Sequence, residues 1–124
     1  MSEIRANTIS DAAGTGPVTL TKQSAAKAWV NFDGSAGTIS PRDSFNVSSL
    51  TDHAQGNYTA TFTDAFAAAD YSISTSARYR VGTSNEGSGV VNTQAAGSAR
   101  FMAVAAGVLF DSSIVCMTAH GDLA

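Results

Sequence analysis

Polar and apolar residues alternate with period two along residues 71–81. Tyr71, Ile73, Thr75, Ala77, Tyr79 and Val81 interleave there with Ser72, Ser74, Ser76, Arg78 and Arg80. A strand gathers the first set on one face and the second on the other, whereas a helix would scatter both around its circumference. The same alternation recurs in Tyr58, Ala60 and Phe62 against Thr59, Thr61 and Thr63, and in Phe45 and Val47 against Ser44, Asn46 and Ser48. It recurs again in Ala28, Val30 and Phe32 against Trp29 and Asn31. Residues 100–106 and 114–119 are largely apolar on both sides, as expected of central strands covered on both faces or lying against another subunit.

Between these runs stand Asp33-Gly34, Gln55-Gly56-Asn57, Gly87-Ser88-Gly89, Ala96-Gly97-Ser98 and Asp111-Ser112, each a turn signal. Strands at this spacing predict an all-β fold, an antiparallel β-sandwich or small barrel. Two segments compete for helix: residues 22–29, rich in Gln, Lys and Ala, and residues 64–70, where Asp64 is a candidate cap. Residues 1–24 hold few apolar anchors and read as an extended N-terminal arm, with residues 25–124 as the sandwich knob. The arm either pairs with a neighbouring chain's sheet edge or folds back on its own sandwich. Its apolar residues, Ile4, Ile9, Val18 and Leu20, are the expected assembly and anchor positions.

Composition changes this picture in one respect. The 124 residues include 22 Ala, 16 Ser, 13 Thr and 11 Gly, so half the chain is drawn from four small residue types. Only 14% of residues are charged, against roughly a quarter in an average soluble domain. Small side chains bury little apolar area, and association with other chains is the expected compensation. The net charge of −3 with seven scattered Lys and Arg gives no basic stripe for a phosphate backbone, so nucleic acid is not an expected partner. Residues 101–110 make about half the roughly 20 apolar residues a membrane span needs, so no membrane insertion is expected. The first residues lack the basic-then-apolar run of a secretory signal, and synthesis in a cytoplasm is the simpler expectation.

A search for catalytic constellations finds no convergent nucleophile, base or metal set, so no enzyme activity and no cofactor is expected. His53 reads as part of an exposed turn. Cys116 and His120 share one strand face, but a structural zinc takes four ligands and the chain has no second Cys. The Asp residues fall at turn and cap positions, where backbone bonding explains them. Exposed aromatics and cations carry more. Trp29 lies opposite in phase to Val30 and Phe32, so it is either a subunit contact or, in the other register, a core residue. Arg78 and Arg80 with Tyr79 are either a solvated face or contacts for carboxylates of a partner or an acidic glycan.

Three ordered strings, residues 27–34, residues 42–52 and residues 56–62, resemble a module of tail-fibre and related structural proteins of bacteriophages, marine ones especially. Residues 7–11 and 14–21 are similar to the segment that precedes that module, so the resemblance spans residues 4–73. It implies a virion protein, a homotrimer whose N-terminal arm attaches to other virion proteins of the capsid or tail and whose β-rich part projects towards a host cell-surface glycan. The chain is short for a tail fibre and has no coiled-coil heptads, so a short fibre, a head spike or an adaptor-bound tip fits better. A stand-alone lectin-like module is the alternative reading.

Overall fold

The computed structural model describes Ala13, residues 25–78 and residues 87–124. Nine strands run through the described residues: β1 (Ala28–Phe32), β2 (Pro41–Phe45), β3 (Val47–Ala54), β4 (Asn57–Phe62), β5 (Ser72–Ala77), β6 (Gly87–Ala95), β7 (Ser98–Ala105), β8 (Val108–Leu109) and β9 (Val115–His120). They form two antiparallel sheets, one ordered β2-β1-β9-β5 and the other β3-β4-β7-β6, with β8 pairing on β7. The chain is therefore all-β with two antiparallel sheets around one core, consistent with the expected sandwich. No helix occurs among the described residues.

The period-two pattern sets which side chains meet. Ala28, Val30 and Phe32 of β1 and Val115, Met117 and Ala119 of β9 face Tyr58, Ala60 and Phe62 of β4 and Ala99, Phe101, Ala103 and Ala105 of β7. Trp29 falls on the outer face, half-buried, so the register with Val30 and Phe32 inside holds. The central strands β7 and β9 alternate buried and half-buried residues, so their outer faces are not fully covered within one chain.

Rings supply the bulk that the alanines do not. Phe32 meets Tyr58 edge-on at 5.0 Å and Phe101 at 6.1 Å, while Phe66 stacks on Tyr71 at 4.1 Å and meets Phe62 at 5.1 Å. Such pairs contribute about 0.5–1.5 kcal/mol beyond the area they bury. The two ring clusters sit at opposite ends of β4, with the small Ala60 between them.

Four expectations fail, each for a local reason. Residues 64–70 are not helical, because their backbone hydrogen bonds go elsewhere. Phe66 N–H donates to Ala96 O at 2.8 Å, Ala67 N–H to Asp122 O at 2.8 Å, and Ala65 O accepts from Ala124 N–H. Of residues 22–29, the described part forms no helix and leads into β1, and Lys27 N–H already donates to Ala119 O. Phe45 and Val47 do not lie on one strand. Asn46 turns the chain from one sheet to the other in a left-handed conformation, φ 55°, which asparagine tolerates. Its side-chain N–H groups donate to Lys27 O and Asp64 O, and its side-chain Oδ1 accepts from Asp64 N–H. The turn leaves Phe45 exposed at 52%. Finally, Gly87 and Gly89 are not in a turn but in β6, where that strand's backbone presses on β5. A Cβ at Gly89 would sit 2.4 Å from the Thr75 carbonyl carbon.

Candidate functional site

The strand register divides the sandwich into two ends. Ala28 pairs with Ala119 and Ser72 with His120 at one end, while Phe32 and Ala77 both pair with Val115 at the other. The described chain runs into β1 at the first end and finishes there after β9, so this is the near end. The far end is about 13 Å away along β1, at roughly 3.3 Å per residue.

At the near end, Trp29 stands directly opposite Phe45 on the outer face of the four-stranded sheet, in a row continued by Thr118 and Ser74. Trp29 was read as a subunit contact or a core residue, and the structure places it on the outer face beside an exposed ring. Phe45 escaped sequence reasoning because Asn46 reverses the face that strict alternation gives it. Nearby, a cavity of about 410 Å³ is lined by Ala67, Asp70, Tyr71, His120, Gly121 and Asp122 among others. No group of three His, Cys, Asp or Glu among the described residues is placed to hold a metal ion. Cys116 accepts a hydrogen bond from the Asn31 amide at 3.2 Å, and His53 lies 2.9 Å from the Thr59 hydroxyl.

At the far end, the loop at Ser112 and Ser113 gathers the polar groups. Gly34 N–H donates to Ser112 O at 2.8 Å, and the buried Ser112 hydroxyl lies 3.2 Å from Arg78 O and 2.8 Å from Ile114 O. Arg78 N–H donates to Ile114 O at 2.8 Å. The backbone of Arg78 is thus held on both its N–H and its carbonyl. Its guanidinium reaches the Ser113 hydroxyl at 3.4 Å, while Arg42 donates to Ser113 O at 2.8 Å from the other side. Arg42 also pairs with Asp33 at 3.1 Å. The Ser35 hydroxyl and N–H hold the Asp33 carboxyl below its usual range, with a smaller contribution from Arg42.

Beneath this loop, the Tyr58 hydroxyl lies 3.1 Å from the Asp111 carboxylate and 3.2 Å from Gly34 O. Asp111 also accepts from Gly56 N–H at 2.8 Å. Burial first, and then the Asp111 charge, push the Tyr58 phenol far up from its ordinary value.

Of the residues singled out from the sequence, Arg78 is placed at the far end and Trp29 at the near end. Ile4, Ile9, Val18, Leu20, Tyr79 and Arg80 lie outside the described residues, as does nearly all of the arm over residues 1–24. Arg42 was missed. Its only sequence signal is the preceding Asp33, nine residues away, and that spacing becomes a contact only once β1 and β2 are paired. No family model, curated protein or solved structure matches this chain.

Proposed function

We propose that this chain is a structural protein of a bacteriophage virion: a short trimeric fibre or spike on the capsid or tail, anchored by residues 1–24, with the knob's far end turned to the host surface. The observation that carries this reading is the polarity of the knob. The chain enters β1 at one end, where the half-buried Trp29 stands beside the exposed Phe45, and the charged loop cluster stands at the opposite end. An arm that leads into the near end holds that end to a particle and leaves the far end outermost.

The virion reading itself rests on the resemblance of three strings in the sequence. These strings fall on β1, the β2–β3 corner and β4, and Asp33, Arg42 and Asn46 join the first string to the second. The aromatic pair fits a contact between copies, since Trp and Phe rings bury large areas with few rotatable bonds. A trimer places three such pairs around the near end.

Deletion of residues 1–24 tests the anchoring. We expect the shortened chain to retain its β-sheet circular dichroism and to disappear from purified particles, while the full chain is retained. Full occupancy of particles by the shortened chain contradicts the reading. Light scattering on the intact protein tests the oligomer: a stable 12.6 kDa monomer at micromolar concentration contradicts the trimer.

A further inference from the structure

We infer that Arg42, Arg78 and the Ser113 hydroxyl form an oxyanion-binding cradle that takes the carboxylate or sulfate group of an acidic sugar. The inference rests on the proposed orientation of the knob for its biological setting, and on the far-end geometry alone for its chemistry.

In a chain of net charge −3 with seven Lys and Arg in total, two guanidinium groups reach the two polar ends of a single residue. Arg42 is balanced by Asp33, whereas Arg78 has no carboxylate partner among the described residues, and a bound anion would supply one. The two arginines are held differently. Arg42 is committed, with one nitrogen on Asp33 and the other on Ser113 O, and so serves as a fixed wall. Arg78 has a clamped backbone and, among the described residues, only the long 3.4 Å contact from its side chain. Its planar fork is of the kind that makes two-point contacts with carboxylate and sulfate oxygens.

The groups around the pair favour a sugar over an acidic peptide. Ser113, Ser35 and Asn31 offer hydroxyl and amide groups of the kind that bond ring hydroxyls, and all three are already positioned by the network that holds Arg42 and Asp33. Asp33 pairs with Arg42, and the Asp111 carboxylate lies beneath the same loop, so the two arginines stand among carboxylates. These carboxylates disfavour a polyanion and leave room for a sugar with a single anionic group on Arg78.

Titration of the isotope-labelled full-length protein by NMR tests this, with glucuronate, sodium sulfate, glucose and a glutamate-rich peptide as separate probes. We expect glucuronate and sulfate at tens of millimolar to shift the Ser113 amide and the Arg78 side-chain N–H signals in a saturable, salt-sensitive manner, with glucose leaving both unmoved. Arg78→Ala should weaken binding about tenfold or more, and Arg78→Lys should restore only part of it, because a point charge lacks the fork. Arg78 is exposed, and an unchanged dichroism spectrum confirms that its variants fold. Absence of any shift at Ser113 and Arg78 overturns the cradle, as does equal binding by Arg78→Ala. Tighter binding of the peptide than of glucuronate overturns the assignment to a sugar. The titration needs no particle, so a cradle that binds glucuronate on a protein absent from virions would reject the virion reading and keep this one.

Discussion

The two ends of the knob are each built around a buried tyrosine in a cluster of rings, yet the tyrosines are secured in opposite ways. At the far end, Tyr58 lies edge-on to Phe32 and its hydroxyl reaches a carboxylate, Asp111, that also fixes the β3–β4 turn through Gly56. At the near end, Tyr71 stacks on Phe66 and its hydroxyl lies 3.2 Å from Ala95 O and 2.9 Å from Ser98 O in the β6–β7 hairpin. The far-end rings sit on β1, β4 and β7, whereas Phe66 and Tyr71 sit in the connection before β5, with Gly121 pressed on both. Strand-borne rings and charged ties make a platform beneath the loop that carries Ser113, to which Arg42 donates. Packed loops and chain ends make a closure around the point where the chain enters.

The largest effect that separates the ends comes from removing their rings. Phe32→Ala should cost about 3–5 kcal/mol, since the ring is fully buried between both sheets, and this is a large part of a domain's marginal stability. Phe66→Ala should cost less than Phe32→Ala, because the loop and the last residues can collapse into part of the space. Urea unfolding of both variants measures the difference, and equal losses would erase the contrast between platform and closure.

Next comes the seam where β5 and β6 meet backbone to backbone. Gly89→Ala pushes a methyl group against Thr75 and Ser76, and an overpacked contact of this kind costs about 1–3 kcal/mol. Gly97, in the β6–β7 hairpin, has open space around it, so Gly97→Ala is the control that should change stability little. Thermal unfolding of the pair reads the result.

The smallest effect is the most specific. Both phenols are raised from the ordinary value of 10.0, Tyr58 by burial and the Asp111 charge, Tyr71 by burial. Below pH 10 they are protonated in folded and unfolded chains alike. Above it the unfolded chain loses their protons while the folded chain keeps them, so stability falls as pH rises. Tyr58→Phe should flatten this alkaline decline more than Tyr71→Phe does. The reverse order would mean that the Asp111 contact has little influence on the phenol.

Much of the sheet structure was legible in the sequence because alternation is a direct record of which side chains face inward. The inner faces of β1, β4 and β5 follow from Val30, Tyr58 and Ile73 and their phase partners. What alternation misreads is where tertiary contacts take over. Asn46 reverses the phase of Phe45, Gly89 is in a strand because a second backbone needs its space, and Phe66 gives up helical bonds for those of Ala96 and Asp122. The site divides in the same way. Arg78 stands out on the polar face of its strand, but its pairing with Arg42 through Ser113 joins three separate segments and depends on a register that no local pattern encodes.

The central claim is the knob's orientation, near end inward and far end outward. Single cysteines at Thr38, in the far-end loop after β1, and at Ala68, beside the near-end cavity, both lie at exposed positions and report on it in a Cys116→Ser background. Maleimide labelling of the free protein and of intact particles compares their access. The account predicts that Thr38→Cys labels equally in both while Ala68→Cys is shielded on particles; equal labelling of both sites on particles, or shielding of Thr38→Cys alone, would contradict it.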